Sequence, residues 1–376
     1  MQSISHKLSR YLTSIVIVVI ISCQPGIAAE ASDYIYETSE DNTITITGYS
    51  GPGGDLVIPA EIEGKPVTAI GRLAFQGQET ITSVRFPETL VSIDRLAFNS
   101  NTQLTDVYIP ASVTHMARPV FNRCTNLQNI HVAEGNPSFR SIDGVLFSTY
   151  QGTEIDTIRH YPAARQGPYV IPDFVTRIHD GAFIWARGLT AITIPEGVTW
   201  IGKGAFHTCE SLTEIALPES LTTFSSAARQ FKDCINLERI TIPDGVKAIP
   251  RRAFEGCVSL KEVILSNNLE VIEANAFENC TSLTEIIIPA SVTRIGGRRG
   301  GRVFAGCENL TKIYFLGDAP EDTAMDNFPA GVTIYHTAGA SGWPQVGEPF
   351  EWNGRPTREF HPDDLQAQRD DSNDQQ

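Results

Sequence analysis

The sequence is short of positive charge: 29 Lys and Arg stand against 44 Asp and Glu, a formal net charge of −15 at pH 7. That balance is the reverse of what phosphate neutralisation needs, so nucleic acid is not expected as a partner. Beyond the first thirty residues no apolar stretch approaches the ~20 residues that span a bilayer. Seven cysteines are present, but no two stand at the close spacing of a zinc site, and no metal is expected. Gly-x-Ser-x-Gly, His-Glu-x-x-His and Gly-x-x-x-x-Gly-Lys are all missing, and Gly51-Pro52-Gly53-Gly54 lacks the lysine of a phosphate loop. No cofactor and no catalytic residue are expected from this inventory.

What is present begins with an export segment. Lys7 and Arg10 give a positive start, Tyr11 to Ile21 an apolar run, and Pro25-Gly26 a helix break. Residues 1–29 are therefore expected to be a signal peptide. Two processing routes stay open: cleavage after Ile27-Ala28-Ala29, or lipidation of Cys23 at a lipobox-like Ile20-Ile21-Ser22-Cys23. Contact with a membrane is expected only through such a lipid.

The 30 Gly and 22 Pro punctuate a repeat. Phe recurs at 75, 98, 121, 183, 206, 231, 254, 277 and 304, at intervals of 23, 23, 62, 23, 25, 23, 23 and 27. Around each Phe the unit is Leu-x-x-Ile-x-Ile-Pro, Val-x-x-Ile-Gly, Ala-Phe-x-x-Cys, as in Leu189, Ile192, Ile194, Pro195, Val198, Ile201, Gly202, Ala205, Phe206 and Cys209. The Ile-x-Ile alternation predicts a short strand with one apolar face, ended by Pro. One such coil cannot bury its own apolar side, so copies must stack, their strands parallel and about 4.8 Å apart. A solenoid follows.

The boundaries predicted are a capping hairpin over 30–54, the repeats over 55–318 with a degenerate insert at 131–170, a C-terminal cap over 319–360 and a polar tail over 361–376 expected to be disordered. In the insert, Asp143-Gly144 before Val145-Leu146-Phe147 predicts a hairpin-like excursion and then a variant coil. Trp343, Phe350 and Trp352 are expected to lie across the last coil.

The repeat resembles the BspA-like leucine-rich-repeat family of bacterial surface and secreted proteins, through Leu-x-x-Ile-x-Ile-Pro-x-x-Val-Thr-x-Ile-Gly-x-x-Ala-Phe-x-x-Cys. The likeness extends to Ile44-Thr45-Ile46-Thr47-Gly48-Tyr49 at one end and to Gly342-Trp343 and Gly354-Arg355-Pro356-Thr357 at the other. It implies a right-handed, curved superhelix of about 23-residue coils, with a parallel sheet on the concave face and short helical or irregular convex segments. It also implies adhesion or recognition outside the cytoplasm, with an extracellular or surface protein as partner and a glycan as the other candidate. The alternative is a structural cell-envelope or surface-layer component with no specific ligand.

Three groups of residues remain as candidate sites. Cys124, Cys209, Cys234, Cys257, Cys280 and Cys307 share one slot, which elsewhere holds Gln78, Asn101 or Ala186. A buried ladder of small side chains turned toward backbone is one reading, and disulfides between coils the other. His207, two residues before Cys209, invites a nucleophilic pair, but the ladder slot and a variable surface slot argue against it. The outward strand position reads Arg85, Tyr108, His131, Thr193, Ala216, Thr241, Ile264, Ile287 and Tyr314. Ile264, Ile287 and Tyr314 predict an apolar protein-binding patch. Finally Arg294, Arg298, Arg299 and Arg302, set among glycines in the unit lengthened to 27 residues, predict a loop that docks an anionic polymer or an acidic partner surface, the other reading being a tolerated insertion with solvated charges.

Overall fold

The computed structural model describes residues 29–150, 154–297, 301–320, 327–344 and 351–363. The export segment with Cys23, the loop residues Arg298 and Arg299, Phe350 and most of the polar tail lie outside them. Within them the chain is a β-solenoid of about 13 turns.

Each coil contributes two parallel strands. The Ile-x-Ile segments form the wider set, in which Gly54–Val57, Ile81–Arg85, Asp106–Ile109 and Asn129–Val132 are neighbours. The Val-x-x-Ile segments form a second, narrow set, as in Arg177–Ile178, Trp200–Ile201 and Thr223–Phe224. The convex segments, expected to be short helical or irregular, are a second narrow sheet and turns, with almost no helix among the described residues. The physical reason is local: Val and Ile are stiff at χ1 and favour extended backbone, and the Gly or Pro that follows leaves no room for a helical turn.

The Ala-Phe segment is a pair of tight turns. Two residues per coil sit in the left-handed region, for example Leu96 (φ 60) and Ser100 (φ 61), or Asn275 (φ 60) and Asn279 (φ 61). Leu73 and Trp185 adopt it too (φ 63 and 65), although their side chains disfavour it. Rungs of backbone hydrogen bonds between successive turns hold them there, such as Phe98 N–H to Val120 O and Phe254 N–H to Ala276 O, both within ordinary bonding distance.

Stacking copies of the same residue builds the core. Phe206, Phe231, Phe254 and Phe277 are fully buried, with ring centroids 5.3 Å apart and planes within 7° of parallel. One coil of strand spacing sets that separation, and the offset lets each ring stack on the next. The six described cysteines form the second column. All are buried and unpaired, and each thiol donates to the carbonyl of a Phe in the coil before it: Cys209 to Phe183 (3.2 Å), Cys257 to Phe231 (3.1 Å), Cys307 to Phe277 (3.0 Å). The slot thus serves the backbone of the turns.

The insert interrupts this column. Phe139–Ile142 and Val145–Thr149 pair antiparallel around Asp143 and Gly144, both with positive φ, and Ile155–His160 returns beside them. Val145–Thr149 becomes a septum: Leu146 packs into the N-terminal core, whereas Val145 and Phe147 pack into the C-terminal one. The Phe column crosses it through His160, edge-on to Phe121, and Tyr161, 5.1 Å from Phe183.

Both ends are closed by extra strands. Tyr34–Thr38 pairs antiparallel with Ile44–Tyr49, laying Tyr34 and Tyr49 over Phe75. At the other end Thr333–Thr337 and Arg355–Phe360 extend the wider sheet in parallel. Trp343 caps Phe315 at 5.0 Å and lies tilted against Trp352 at 4.8 Å, while its indole N–H donates to Gly317 O.

Candidate functional site

Where strands of the wider set pair, their outward residues stand in register. Val57 pairs with Arg85, Arg85 with Tyr108 and Tyr108 with His131; after the insert Val170 pairs with Thr193, Thr241 with Ile264 and Ile287 with Tyr314. Period-two alternation places all of them on the face opposite the core. The row divides into three stretches of different chemistry.

In the first stretch the side chains cover one another. The Arg85 guanidinium lies 3.6 Å above the Tyr108 ring, the other face of which stacks on His131 at 4.6 Å. His131 in turn reaches Asp106 at 3.3 Å. A ring with a partner on each face has no free π surface to offer a ligand.

The second stretch, Thr193 to Ile287, is open. Ile264 is 46% exposed, and Ile287 in the next coil is half-buried. The third stretch is closed over: Tyr314 is only 5% exposed, stacked on Tyr335 at 4.8 Å and met edge-on by Phe360 at 5.4 Å. Burial pushes its hydroxyl up to about 12. The strand Arg355–Phe360 therefore covers the ring expected to complete the apolar patch.

The arginine group separates in a similar way. Arg294 belongs to the narrow sheet, paired with Val271 and 4.0 Å from Glu273, rather than to the loop. Arg302 is exposed at the loop's end with φ 43. The neck between them is built on buried Asn327, which donates to Ile295 O (3.1 Å) and accepts from Val303 N–H. A Cβ on Gly301 would fall 2.0 Å from the Asn327 amide oxygen, so glycine there is a steric requirement. Asn327 carries no periodic signal in the sequence and was not anticipated.

His207 and Cys209 face different partners. The imidazole lies 3.3 Å from Asp233, while the thiol is buried against Phe183 O, its pKa raised by burial first and then by Cys234. A thiol held neutral and out of reach is no nucleophile. Among the described residues no group of three or more His, Cys, Asp or Glu could hold a metal ion.

A second cleft opens on the turn side, at about 460 Å³, between the turns at Arg118–Arg123 and Asp180–Trp185. Basic residues dominate it. Arg95, Arg118 and Lys203 occupy the same slot, two residues before Ala or Val in the Ala-Phe turn.

No curated protein matches the sequence. Among solved structures, a leucine-rich repeat protein from Eubacterium ventriosum is similar at 22% identity, with a TM-score of 0.48 over 79% of this chain and 96% of that one. A leucine rich cell surface protein from Faecalibacterium prausnitzii is similar at 22% identity, TM-score 0.40, over 78% and 96%. The pneumococcal vaccine antigen PcpA is similar at 19% identity, TM-score 0.46, over 87% and 96%. Six copies of the BspA type leucine rich repeat region match residues 58–160 and 176–311, more than half of the sequence, and the chain belongs to that family.

Proposed function

We propose that the protein is exported and binds a partner protein outside the cytoplasm through the open stretch of its outward row. The observation that carries this reading is Ile264, nearly half exposed at a position where its register neighbour is Thr241. A β surface favours a β-branched residue there, and Thr would satisfy that preference without exposing a second methyl group and methylene to water. Ile287 continues the patch, and Arg294, Arg298, Arg299 and Arg302 of the lengthened unit are the cations for an acidic rim on the partner. Tyr314, beside Ile287 in the row and covered by Phe360, borders the patch as packing. The separate engagement of His207 and Cys209 favours a non-enzymatic role. Export rests on the first twenty-nine residues, and mass spectrometry of the mature N-terminus tests it: a lipid on Cys23 means anchoring, Glu30 at the start means release. Binding is tested by surface plasmon resonance against a panel of matrix and host-surface proteins. Ile264→Lys with Ile287→Lys is expected to weaken a bound partner at least tenfold, and unchanged binding would remove the patch from consideration.

A further inference from the structure

The solenoid turns are normally bridged by backbone rungs. Leu96 N–H donates to Pro119 O and Ser100 N–H to Asn122 O; after the insert the pattern resumes with Gly181 N–H to Lys203 O and Trp185 N–H to His207 O. Between these two blocks the insert supplies Tyr161, whose N–H donates to Ala182 O, on the inner side of the turns. The outer part of one turn is thereby left out. The gap it leaves is the cleft of about 460 Å³, within the size range of small-molecule sites.

Its charge is opposite to that of the chain. Arg95, Arg118, Arg123, Lys203 and Arg229 line it, with Asp180 the one carboxylate among the described lining residues, in a protein of net charge −15. Asp180 is already engaged, its Oδ1 accepting the Lys203 backbone N–H at 2.8 Å. Arg118 bonds through Nη1 to His179 Nδ1 at 2.9 Å, a ring that burial and the neighbouring arginines keep neutral, so the carboxylate of Asp180 is the negative charge that faces this guanidinium. Behind this wall lies half-buried Arg159, bonded to Met116 O, its pKa lowered to about 9 by burial and by repulsion from Arg118. It is still a cation at neutral pH. The half-buried indole of Trp185 completes the wall, with Arg123 5.4 Å and Arg187 5.1 Å from its ring.

We propose that this cleft is a binding site for an anionic saccharide, whose sulfate, phosphate or carboxylate groups are held by Arg118, Arg123 and Lys203. Several cations held close together by a folded wall repel one another, and a multiply charged oxyanion relieves that repulsion while accepting paired guanidinium hydrogen bonds. The cleft's volume suits one or two sugar rings, and the planar forks of Arg118 and Arg123 match sulfate or phosphate better than the point charge of a lysine alone. None of its described lining residues belongs to the outward row or is Arg294, Arg298, Arg299 or Arg302.

The test is isothermal titration of the full mature chain at low ionic strength with a sulfated chondroitin disaccharide, its unsulfated counterpart, and inorganic pyrophosphate. The proposal expects saturable binding of one sulfated disaccharide per chain, at least tenfold weaker binding of the unsulfated sugar, and loss of at least tenfold in affinity in Arg118→Gln/Arg123→Gln. Pyrophosphate binding as tightly as the sulfated sugar would overturn the saccharide part, leaving a bare oxyanion site. Arg118 and Arg123 are exposed, so the double variant is expected to keep its unfolding midpoint, and Lys203→Gln gives a second reading at a surface position. The loop variant Arg299→Gln/Arg302→Gln should bind as the parent does. Equal affinity in parent and cleft variant, or binding lost only in the loop variant, overturns the assignment.

Discussion

Replacing Phe254 by Ala is the most direct probe of how the stack is held together. The ring is 0% exposed and lies between Phe231 and Phe277 at 5.3 Å on each side, almost parallel to both. Truncating a buried Phe to Ala costs about 3–5 kcal/mol, from lost transfer energy and the residual cavity. Each stacked aromatic pair adds about 0.5–1.5 kcal/mol beyond the area it buries, and two pairs are lost here. The position should therefore fall at the upper end, about 4–5 kcal/mol, because neighbouring rings cannot slide along the column without opening gaps against their own coils. In a solenoid each coil contacts only its neighbours, so the lesion weakens the two interfaces around it and leaves distant ones intact. Guanidinium unfolding followed by far-UV circular dichroism and tryptophan emission reads the loss. Phe254→Leu, which keeps most of the volume, should lose roughly half as much. Val258→Ala, in the same coil but 38% exposed, is the control and should stay within about 1 kcal/mol. If Phe254→Ala cost no more than that control, the column would be ornamental and stability would have to reside in the strands.

Two further outcomes follow from the buried titratable groups. His160 is 7% exposed and His179 4%, and burial, reinforced by Arg159 for the first and by Arg118 and Arg159 for the second, lowers their pKa from 6.5 to about 4 and about 3. A base depressed in the folded state binds its proton in the unfolded state first. Stability is therefore full above pH 6.5 and falls as the pH drops toward 4, by about 3 kcal/mol for His160 alone. In urea unfolding at pH 7.5 and 4.5, His160→Phe, which puts the column's own residue at that place, should shrink the acid loss by about that amount; an unchanged loss refutes the assignment. The buried cysteines should be inert in the folded chain, since burial pushes Cys124 up to about 12 and raises Cys209, Cys257 and Cys280 well above the ordinary thiol. Ellman's reagent at pH 8 is expected to label all six only after denaturant is added, and rapid labelling of any one in the native chain would show that its turn opens.

The coil length, the Phe column and the direction of the outward row were legible in sequence because each rests on periodicity, which a single chain displays by repeating itself. What was not legible depends on contacts that do not repeat. Parity placed Tyr314 on the outward face, and it is there, but nothing in its own coil shows that Phe360, forty-six residues later, folds over the ring. The left-handed backbone at Leu73, Leu96 and Trp185 likewise comes from the stack, since these residue types disfavour it. The narrow sheet was within reach: Val-x-x-Ile with no helical spacing favours extended backbone. So was the basic slot of Arg95, Arg118 and Lys203, visible once the turns are aligned on Ala-Phe. That Arg123 and Arg229 join it, and that the wall stands beside a gap, depends on how the insert closes.

The divided core and the cationic cleft have one cause. Sixty-two residues separate Phe121 from Phe183 where two regular coils would take forty-six, and the extra length is spent on the antiparallel pair Phe139–Ile142 and Val145–Thr149. Antiparallel strands cannot continue a parallel column, so Val145–Thr149 presents alternate side chains to the two cores and separates them. The same departure removes the chain from the outer side of the turn that should have lain between Arg118–Arg123 and Asp180–Trp185. On the inner side the break is repaired with apolar and aromatic groups, Tyr161 against Phe183 and Phe121 against His160, because water must be kept out there. On the outer side no such demand exists, and arginines need only reach solvent. Repairing the cleft with apolar residues would have strengthened the stack; a wall of like charges, one of them drawn inward at Arg159, weakens it through self-repulsion. A weakening of that kind, confined to one break in an otherwise regular column, is what a ligand-binding gap requires and a spacer does not.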